Sequence, residues 1–255
     1  MSTKDPIGMP VILLTSCIDP SLSKNRWHTL NDVDLRLRQY IEAVCYYGKE
    51  TDLKICFVDN SGYDISHMPA IEEYITTGRL EILTYLASED VRSRGKGYGE
   101  QDILRYALKN SKNLLHADYI IKATGRIKIR NIKSLIRLTE YLSKKREKYV
   151  IGEKLYKAKW MQSYLFIAHH EFFGEAFFAQ MRKISEKNED MKMFEEGLYS
   201  AIEEWKTLGG KFLNVLTPII VDGMRGEGGY YCTNSFKDKI KCLLNAFRCN
   251  LLNKL

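Results

Sequence analysis

Two short segments combine basic side chains with glycine, a pairing that suits the binding of an anion. Residues 94–100 read RGKGYGE and residues 122–126 read KATGR. Glycine lets the backbone come close to a ligand, and cations beside the free N–H groups of a helix start attract negative charge. An amphipathic helix, with Ile103, Leu104, Ala107 and Leu108 on one side, is predicted to join the two segments. The pattern favours a phosphate-bearing ligand between them, although residues 94–100 alone fit an ordinary surface loop equally well.

Four apolar runs are typical of buried strands, and helical patterns separate them. The runs cover residues 11–17, 54–58, 80–85 and 119–121. Strands that alternate with helices predict an α/β fold with a Rossmann-like, mostly parallel sheet. Ligands of such sheets bind beyond the carboxyl ends of the strands. This rule brings two basic segments, 94–100 and 122–126, to one edge together with Thr15, Ser16, Asp59 and Asn60.

The second half of the chain is richer in aromatic residues. We predict a helix over 132–142, a strand over 149–151, a helix from about Phe172, and a helix capped by residues 188–190 that continues to Trp205. Late strands are predicted over 212–216 and 218–221, and a glycine-rich loop follows over 223–229. Since neither a repeat nor a linker interrupts the pattern, we expect one domain over residues 1–255.

Composition narrows the class of protein. The 255 residues carry a net charge of +7, which favours anionic partners, but no zinc-finger, RRM or KH pattern points to nucleic acid. The six cysteines show no CxxC pair, so a reducing compartment is expected. No Walker loop or Gly-x-Ser-x-Gly elbow supports an NTPase or an esterase. Without a signal peptide or a run of about 18 apolar residues, we expect a cytoplasmic location.

The last twenty residues, 236–255, predict an amphipathic helix. Phe236, Ile240, Leu243 and Leu244 begin an apolar stripe, and lysines lie around it. Two interpretations stay open. The stripe packs on the protein's own core or on a second subunit, or it places the helix on anionic lipid at the inner face of the plasma membrane.

Several of these segments together resemble the GT-A-fold nucleotide-sugar glycosyltransferases, and in particular small bacterial transferases of capsule and lipopolysaccharide assembly. The resemblance rests on short motifs spread over most of the chain: residues 15–17, 58–62, 94–100, 121–126, 194–198 and 218–230. It implies a nucleotide-sugar-binding half over 1–130 and an acceptor half over 131–235. It also implies that Thr15, Ser16, Asp59 and Asn60 hold the nucleoside, although Asp-Asn-Ser-Gly is also a good turn sequence.

One departure from the family pattern concerns the metal. Most GT-A enzymes carry an Asp-x-Asp motif where this chain has residues 122–126, and the Asp32-x-Asp34 pair suits a helix cap instead. Cations can neutralise a diphosphate in place of a divalent ion. We therefore expect a metal-independent enzyme without a required cofactor. Its donor contacts would include Arg94, Lys96, Lys122, Thr124, Arg126 and Arg225.

The resemblance also suggests acidic residues for catalysis. Glu195 and Glu196 stand at the start of the acceptor-side helix, where a general base would take the acceptor's proton. Both also fit a role as surface glutamates, and Glu195 is slightly favoured. Glu100 would bind the donor sugar or pair with Arg94. The sequence His169-His170-Glu171 lacks any zinc spacing, so ordinary packing is expected there.

The resulting prediction is a glycosyltransferase that moves a sugar from a nucleotide-sugar donor to a surface-glycan or lipid-linked acceptor. One alternative is a sugar-phosphate nucleotidyltransferase, which would release pyrophosphate and need magnesium. Another is a non-catalytic protein that binds polyanions through its basic faces. The oligomeric state, the sugar and the linkage stay open.

Overall fold

A computed structural model describes residues 9–21, 30–155, 158–184, 192–223 and 236–251. Nine strands occur in these ranges: β1 Val11–Ser16, β2 Ile55–Asp59, β3 Leu80–Thr84, β4 Tyr119–Thr124, β5 Lys128–Ile129, β6 Tyr149–Gly152, β7 Leu165–His169, β8 Lys211–Asn214 and β9 Val221–Asp222. Seven of them form one sheet in the order β3-β2-β1-β4-β7-β6-β8, and β5 pairs with β9.

The sheet is mostly parallel, as predicted. Strands β1 to β4 all run in one direction, and β7 enters antiparallel to both β4 and β6. Strand β1 is a continuous apolar run because helices cover the sheet on both faces, and Ile12, Leu13 and Leu14 are fully buried. The predicted α/β class, with a largely parallel sheet flanked by helices, is confirmed.

The helices divide between the two faces of the sheet. They are α1 Val33–Glu50, α2 Glu72–Thr76, α3 Glu89–Ser93, α4 Lys96–Asn110, α5 Ile132–Lys144, α6 His170–Phe172, α7 Phe178–Met181, α8 Phe194–Thr207 and α9 Phe236–Leu251. A π-helical turn, Phe173–Phe177, joins α6 to α7. Helices α1 and α5 pack on one face, and α4 and α6 to α8 on the other. No described helix is both long enough and apolar enough to span a membrane.

Several predicted boundaries change. The proposed cap at 188–190 lies outside the described residues, and the helix to Trp205 begins at Phe194. The strand predicted over 218–221 shrinks to Val221–Asp222. The side chain of Asn131 accepts from the Ile220 N–H and donates to the Pro218 carbonyl, so these two backbone groups pair with a side-chain amide rather than with a strand. Asp32 caps α1 by accepting from the Leu35 N–H, which confirms its capping role.

Candidate functional site

The carboxyl ends of four parallel strands meet at one edge of the sheet. Ser16 lies beside Asp59, Asp59 beside Thr84, and Thr15 beside Thr124 in the strand register. The predicted residues of β1, β2 and β4 are therefore neighbours in space. Thr84 joins them from β3, although its sequence context, Leu-Thr-Tyr, gave no signal of a site.

Asp59 organises this edge from the inside. Its fully buried carboxylate accepts hydrogen bonds from the Ser16 hydroxyl at 2.7 Å and from the Ile18 N–H at 2.9 Å. The Ser61 hydroxyl, the Ser61 N–H and the Tyr63 N–H occupy the other oxygen. A carboxylate offers about four lone-pair positions. Five internal donors therefore saturate Asp59, which fixes the loops after β1 and β2.

A second carboxylate, the half-buried Glu100, links β1 to β4. Its Oε1 lies 2.7 Å from the Thr15 hydroxyl and 2.5 Å from the Lys122 ammonium. Burial alone raises the pKa of Glu100, but the Lys122 charge and hydrogen bonds from Lys122 and Thr15 hold it below its ordinary value. Lys122 is 1 % exposed and also donates to the Ser163 carbonyl at 2.7 Å. Its charge is thus neutralised within the protein.

Residues 94–100 were predicted to form a glycine-rich loop, and that prediction was wrong. Helix α4 starts at Lys96, and Gly95, with a φ of 107°, makes the turn into it. The Arg94 guanidinium stacks on the Tyr98 ring, with its Cζ 3.5 Å from the centroid, and donates to the carbonyls of Arg182 and Ile184. Arg94 therefore ties α4 to the α7 end. Lys96 is exposed at the first turn of α4.

The turn after β4 brings a cation to the edge. The Gly125 N–H donates to the Thr15 carbonyl at 2.9 Å, and a Cβ at this position would lie only 2.7 Å from that oxygen. Only glycine fits so close an approach. Arg126 follows, 6 % exposed, and its Nη1 has no hydrogen-bond partner among the described residues. An unsatisfied buried donor costs about 1–3 kcal/mol, which an anionic ligand would recover.

A second buried arginine, which the sequence did not reveal, lies nearby. Arg36 on α1 donates from Nε to the carbonyls of Cys17 and Ile18, at 3.0 and 3.1 Å. Burial raises the pKa of the Cys17 thiol to about 12, although Arg36 and Arg126 both act to lower it. The edge therefore holds two cations near a neutral thiol. A signal did exist, because Arg36 lies one turn before Tyr40, a core residue of the same helix.

Two further polar atoms at the strand ends lack partners in the described part of the chain. They are the Asn60 side-chain oxygen and the Thr84 hydroxyl, both buried. The Asn60 amide faces the first turn of α4, where a Cβ on Gly99 would lie 3.5 Å from its nitrogen. With Arg126, these groups leave hydrogen-bonding capacity at the edge for a polar ligand.

The start of α8 separates the two candidate bases. The Glu196 carboxylate accepts from the Met193 N–H at 2.9 Å and so caps its own helix. The Glu195 Oε1 accepts from the Ser163 hydroxyl at 2.5 Å, and its other oxygen forms no bond within the described ranges. Since the Ser163 carbonyl receives Lys122, contacts run without a break from Thr15 to Glu195.

The residues at the edge do not resemble a divalent-metal site. Thr124, Gly125 and Arg126 supply no carboxylate where β4 ends, while Asp59 and Glu100 are engaged by internal donors. A hard cation prefers several oxygen ligands and is repelled by a guanidinium. The described chain thus does not fit such an ion at this position. Arg225, the further predicted phosphate contact, lies outside the described residues.

One cluster of metal-type side chains does occur in the described ranges, at the other end of the sheet. His169, His170 and Glu171 have ligand atoms within 4.8 Å of one another. The two histidine rings lie side by side, with their centroids 4.5 Å apart, because His169 ends β7 and His170 begins α6. Glu171 is paired with Lys148 at 2.6 Å, and burial, followed by the His170 charge, lowers the pKa of His169 to about 4.

Comparison with solved structures shows the class of fold. The chain superposes on the crystal structure of GalNAc-T7 with UDP, GalNAc and Mn2+ at a TM-score of 0.52, with 13 % identity, covering 94 % of this chain and 48 % of that one. For TarS of S. aureus the TM-score is 0.46 and the identity 11 %, over 92 % and 38 % of the two chains. The chain thus spans less than half of either protein. Together with the strand order, the GalNAc-T7 match shows a GT-A, Rossmann-like fold. Neither a protein-family model nor a curated protein sequence matches the chain.

Proposed function

We propose that the chain is a glycosyltransferase that uses a nucleoside-diphosphate sugar without a divalent ion. The observation that carries this proposal is Arg126, a buried guanidinium with an unpartnered Nη1 at the ligand-binding edge of a parallel sheet. A fixed cation aimed at a developing negative charge stabilises a leaving diphosphate. Donor recognition lies within residues 1–130, and acceptor selection within 131–235.

The contacts of the predicted residues suggest a different role for each of them. Arg126 neutralises the diphosphate, and the unpartnered oxygen of Asn60 is available to the nucleoside. Asp59 and Lys122 act indirectly, since the first fixes the strand-end loops and the second holds Glu100 against Thr15. Lys96, Thr124 and Arg225 remain proposed donor contacts. Arg94 acts by anchoring α4.

In the inverting form of the reaction, Glu195 is the general base. Its carboxylate takes the proton from an acceptor hydroxyl, and the hydroxyl oxygen bonds to the anomeric carbon of the sugar. The bond from that carbon to the phosphate oxygen breaks, and its electron pair leaves with the diphosphate. Ser163 orients Glu195 by donating to Oε1, and this leaves Oε2 for the proton. The acceptor we propose is a bacterial surface glycan, of capsule or lipopolysaccharide type, either free or lipid-linked.

Turnover of a panel of nucleotide sugars in EDTA tests the proposal. Release of a nucleoside diphosphate from one donor, with transfer or slow hydrolysis of the sugar, is expected. Arg126→Ala should weaken donor binding roughly 10- to 100-fold, the worth of a hydrogen bond to a charged group. Arg137→Ala is the matched control, because Arg137 is an exposed arginine of α5.

Other products would favour other functions. Pyrophosphate release that depends on magnesium would identify a nucleotidyltransferase. A protein that binds many polyanions equally, and releases nothing from any donor, would be a binding protein. Activity that is lost in EDTA and restored by manganese would remove the metal-independent mechanism.

A further inference from the structure

Helix α9 presents its large apolar side chains outward. Phe236 is 76 % exposed, and Ile240, Leu243, Leu244 and Phe247 are between 43 % and 55 % exposed. At about 100° per residue these five lie within an arc of roughly 100°, so they form one continuous stripe. The sequence left open whether this stripe packs on the protein's own core. In the structure, the described residues of the stripe do not pack on that core.

The side of α9 away from the stripe, together with Asn250 at the edge of the stripe, fixes the helix to the protein. The Asn245 amide donates to the Lys154 carbonyl at 2.7 Å, and Asn250 exchanges two hydrogen bonds with the Asn214 backbone, at 2.8 and 3.0 Å. The buried residues of this side are small: Cys242, Ala246 and Cys249. Small residues inside and large residues outside are the reverse of what a core-packed helix requires. The outward stripe is therefore a fixed surface.

Basic side chains border the stripe. Lys237, Lys241 and Arg248 are exposed and fall along one margin of it at helical spacing, and Lys239 is exposed near the helix start. The sequence of α9 contains these four basic residues and one acidic residue, Asp238, so its net charge is 4 − 1 = +3. An apolar stripe beside a cationic margin is typical of helices that lie in a lipid interface.

We propose that the outer face of α9 docks on an anionic lipid surface. The five apolar side chains would enter the boundary between headgroups and acyl chains, and the basic margin would contact acidic headgroups. The positive charge of α9 favours anionic lipid over a second copy of the chain as the partner. A two-fold contact through this face would bring two helices of charge +3 together, and they would repel each other. The proposal is independent of sugar transfer.

Flotation of the full chain with vesicles tests the proposal. Binding is expected to phosphatidylcholine vesicles that contain about 30 % phosphatidylglycerol, and it should fall without the anionic lipid or at high salt. K237E/K241E should weaken binding about 25-fold or more, at about fivefold per charge lost. K109E/K112E, on exposed lysines of and just after α4, makes the same change in net charge and should bind within about threefold of the wild type.

A second pair of variants tests the apolar stripe. L243S/F247S should abolish binding, whereas L115S/L208S, on two exposed leucines elsewhere, should not. Unchanged thermal unfolding shows that each variant is folded. The proposal is overturned if wild-type protein does not bind anionic vesicles, or if the control pairs lose binding equally. A stable dimer that L243S/F247S dissociates, without vesicle binding by the wild type, would assign the face to a second copy.

Discussion

Replacing Lys122 by methionine distinguishes a role in the fold from a role in ligand binding. The sequence placed Lys122 among the phosphate contacts, whereas the structure places its ammonium 2.5 Å from Glu100 and 2.7 Å from the Ser163 carbonyl. Methionine keeps the length and apolar volume but removes the charge. If the ammonium serves the fold, Lys122→Met lowers the free energy of unfolding.

The magnitude follows from burial. Removing one partner of a buried ion pair costs about 3–5 kcal/mol, because the other charge stays buried and unpaired. Glu100 keeps 19 % of its side-chain surface exposed, which lets water offset part of this loss. We therefore expect about 2–4 kcal/mol. In a chain of this size that lowers Tm by roughly 4–16 °C.

The pH dependence gives a second signature. In the wild type the pKa of Glu100 lies below its unfolded value, so its stabilising effect is present above about pH 4.3 and is lost as pH falls further. In Lys122→Met the charge and hydrogen bond of Lys122 are lost, so burial, the largest influence on the pKa of Glu100, is opposed only by Thr15 and Lys96 and that pKa rises. The penalty is then largest at neutral pH and declines as Glu100 takes up a proton. The Tm difference between the two proteins should narrow toward acid pH.

Differential scanning calorimetry of a double-mutant cycle measures these effects. Glu100→Gln combined with Lys122→Met should recover part of the stability, since no unpaired charge remains buried. At a temperature where the Lys122→Met variant is still folded, its affinity for nucleotide should lie within a few-fold of that of the wild type. An unchanged Tm together with lost nucleotide binding would refute the structural role and make Lys122 a phosphate ligand.

Three further predictions concern single positions. Gly125→Ala should lower the free energy of unfolding in urea by about 1–3 kcal/mol and weaken nucleotide binding, because the added Cβ would lie 2.7 Å from a backbone oxygen. Gly174→Ala is the control, since its Cβ would have no atom within 4 Å, and it should change stability by less than about 0.5 kcal/mol. Glu195→Gln should lower kcat at least about 100-fold in steady-state assays. Glu196→Gln should lower the free energy of unfolding by about 1 kcal/mol and leave kcat unchanged. Equal losses of kcat in the two variants would contradict the assignment of Glu195 as the base and Glu196 as the helix cap. His169 has its pKa lowered to about 4, so it stays neutral in the folded protein while the unfolded chain takes up a proton below about pH 6.5. Stability should therefore fall between about pH 6.5 and pH 4, and His169→Gln should flatten the Tm profile there.

The sheet was predictable because its signal is local. The run over residues 11–16 is apolar on both faces, and only a strand covered on both sides requires that. Helical patterns between such runs then dictate parallel pairing. The meeting of the strand ends needs no knowledge of side-chain packing, since topology alone brings β1, β2 and β4 to one edge.

The interior of the site was not predictable, because it depends on partners far apart in the chain. Lys122 pairs with Glu100 and Ser163, and neither contact follows from local sequence. The glycines of 94–100 suggested a loop by composition, yet Gly95 alone turns the chain, and Gly99 lies within α4 opposite Asn60. Arg36 gave only a weak signal, its position one turn before the buried Tyr40, because its burial depends on carbonyls from another segment.

Helix α9 shows a different limit. Its amphipathic pattern predicted a helix correctly, and the structure describes it over Phe236–Leu251. The pattern could not say which stripe faces inward, since hydrophobicity alone favours burial of the large residues. Hydrogen bonds from Asn245 and Asn250 to the protein backbone decide the orientation instead.

The central claim, that Arg126 binds the donor diphosphate without a metal, is tested most directly by calorimetric titration in EDTA. Wild-type protein should bind one nucleoside diphosphate, Arg137→Ala should match it, and Arg126→Ala should bind roughly 10- to 100-fold more weakly. No binding to any nucleoside diphosphate in EDTA, with binding restored by manganese, would contradict the claim. So would equal affinity in the wild type and Arg126→Ala.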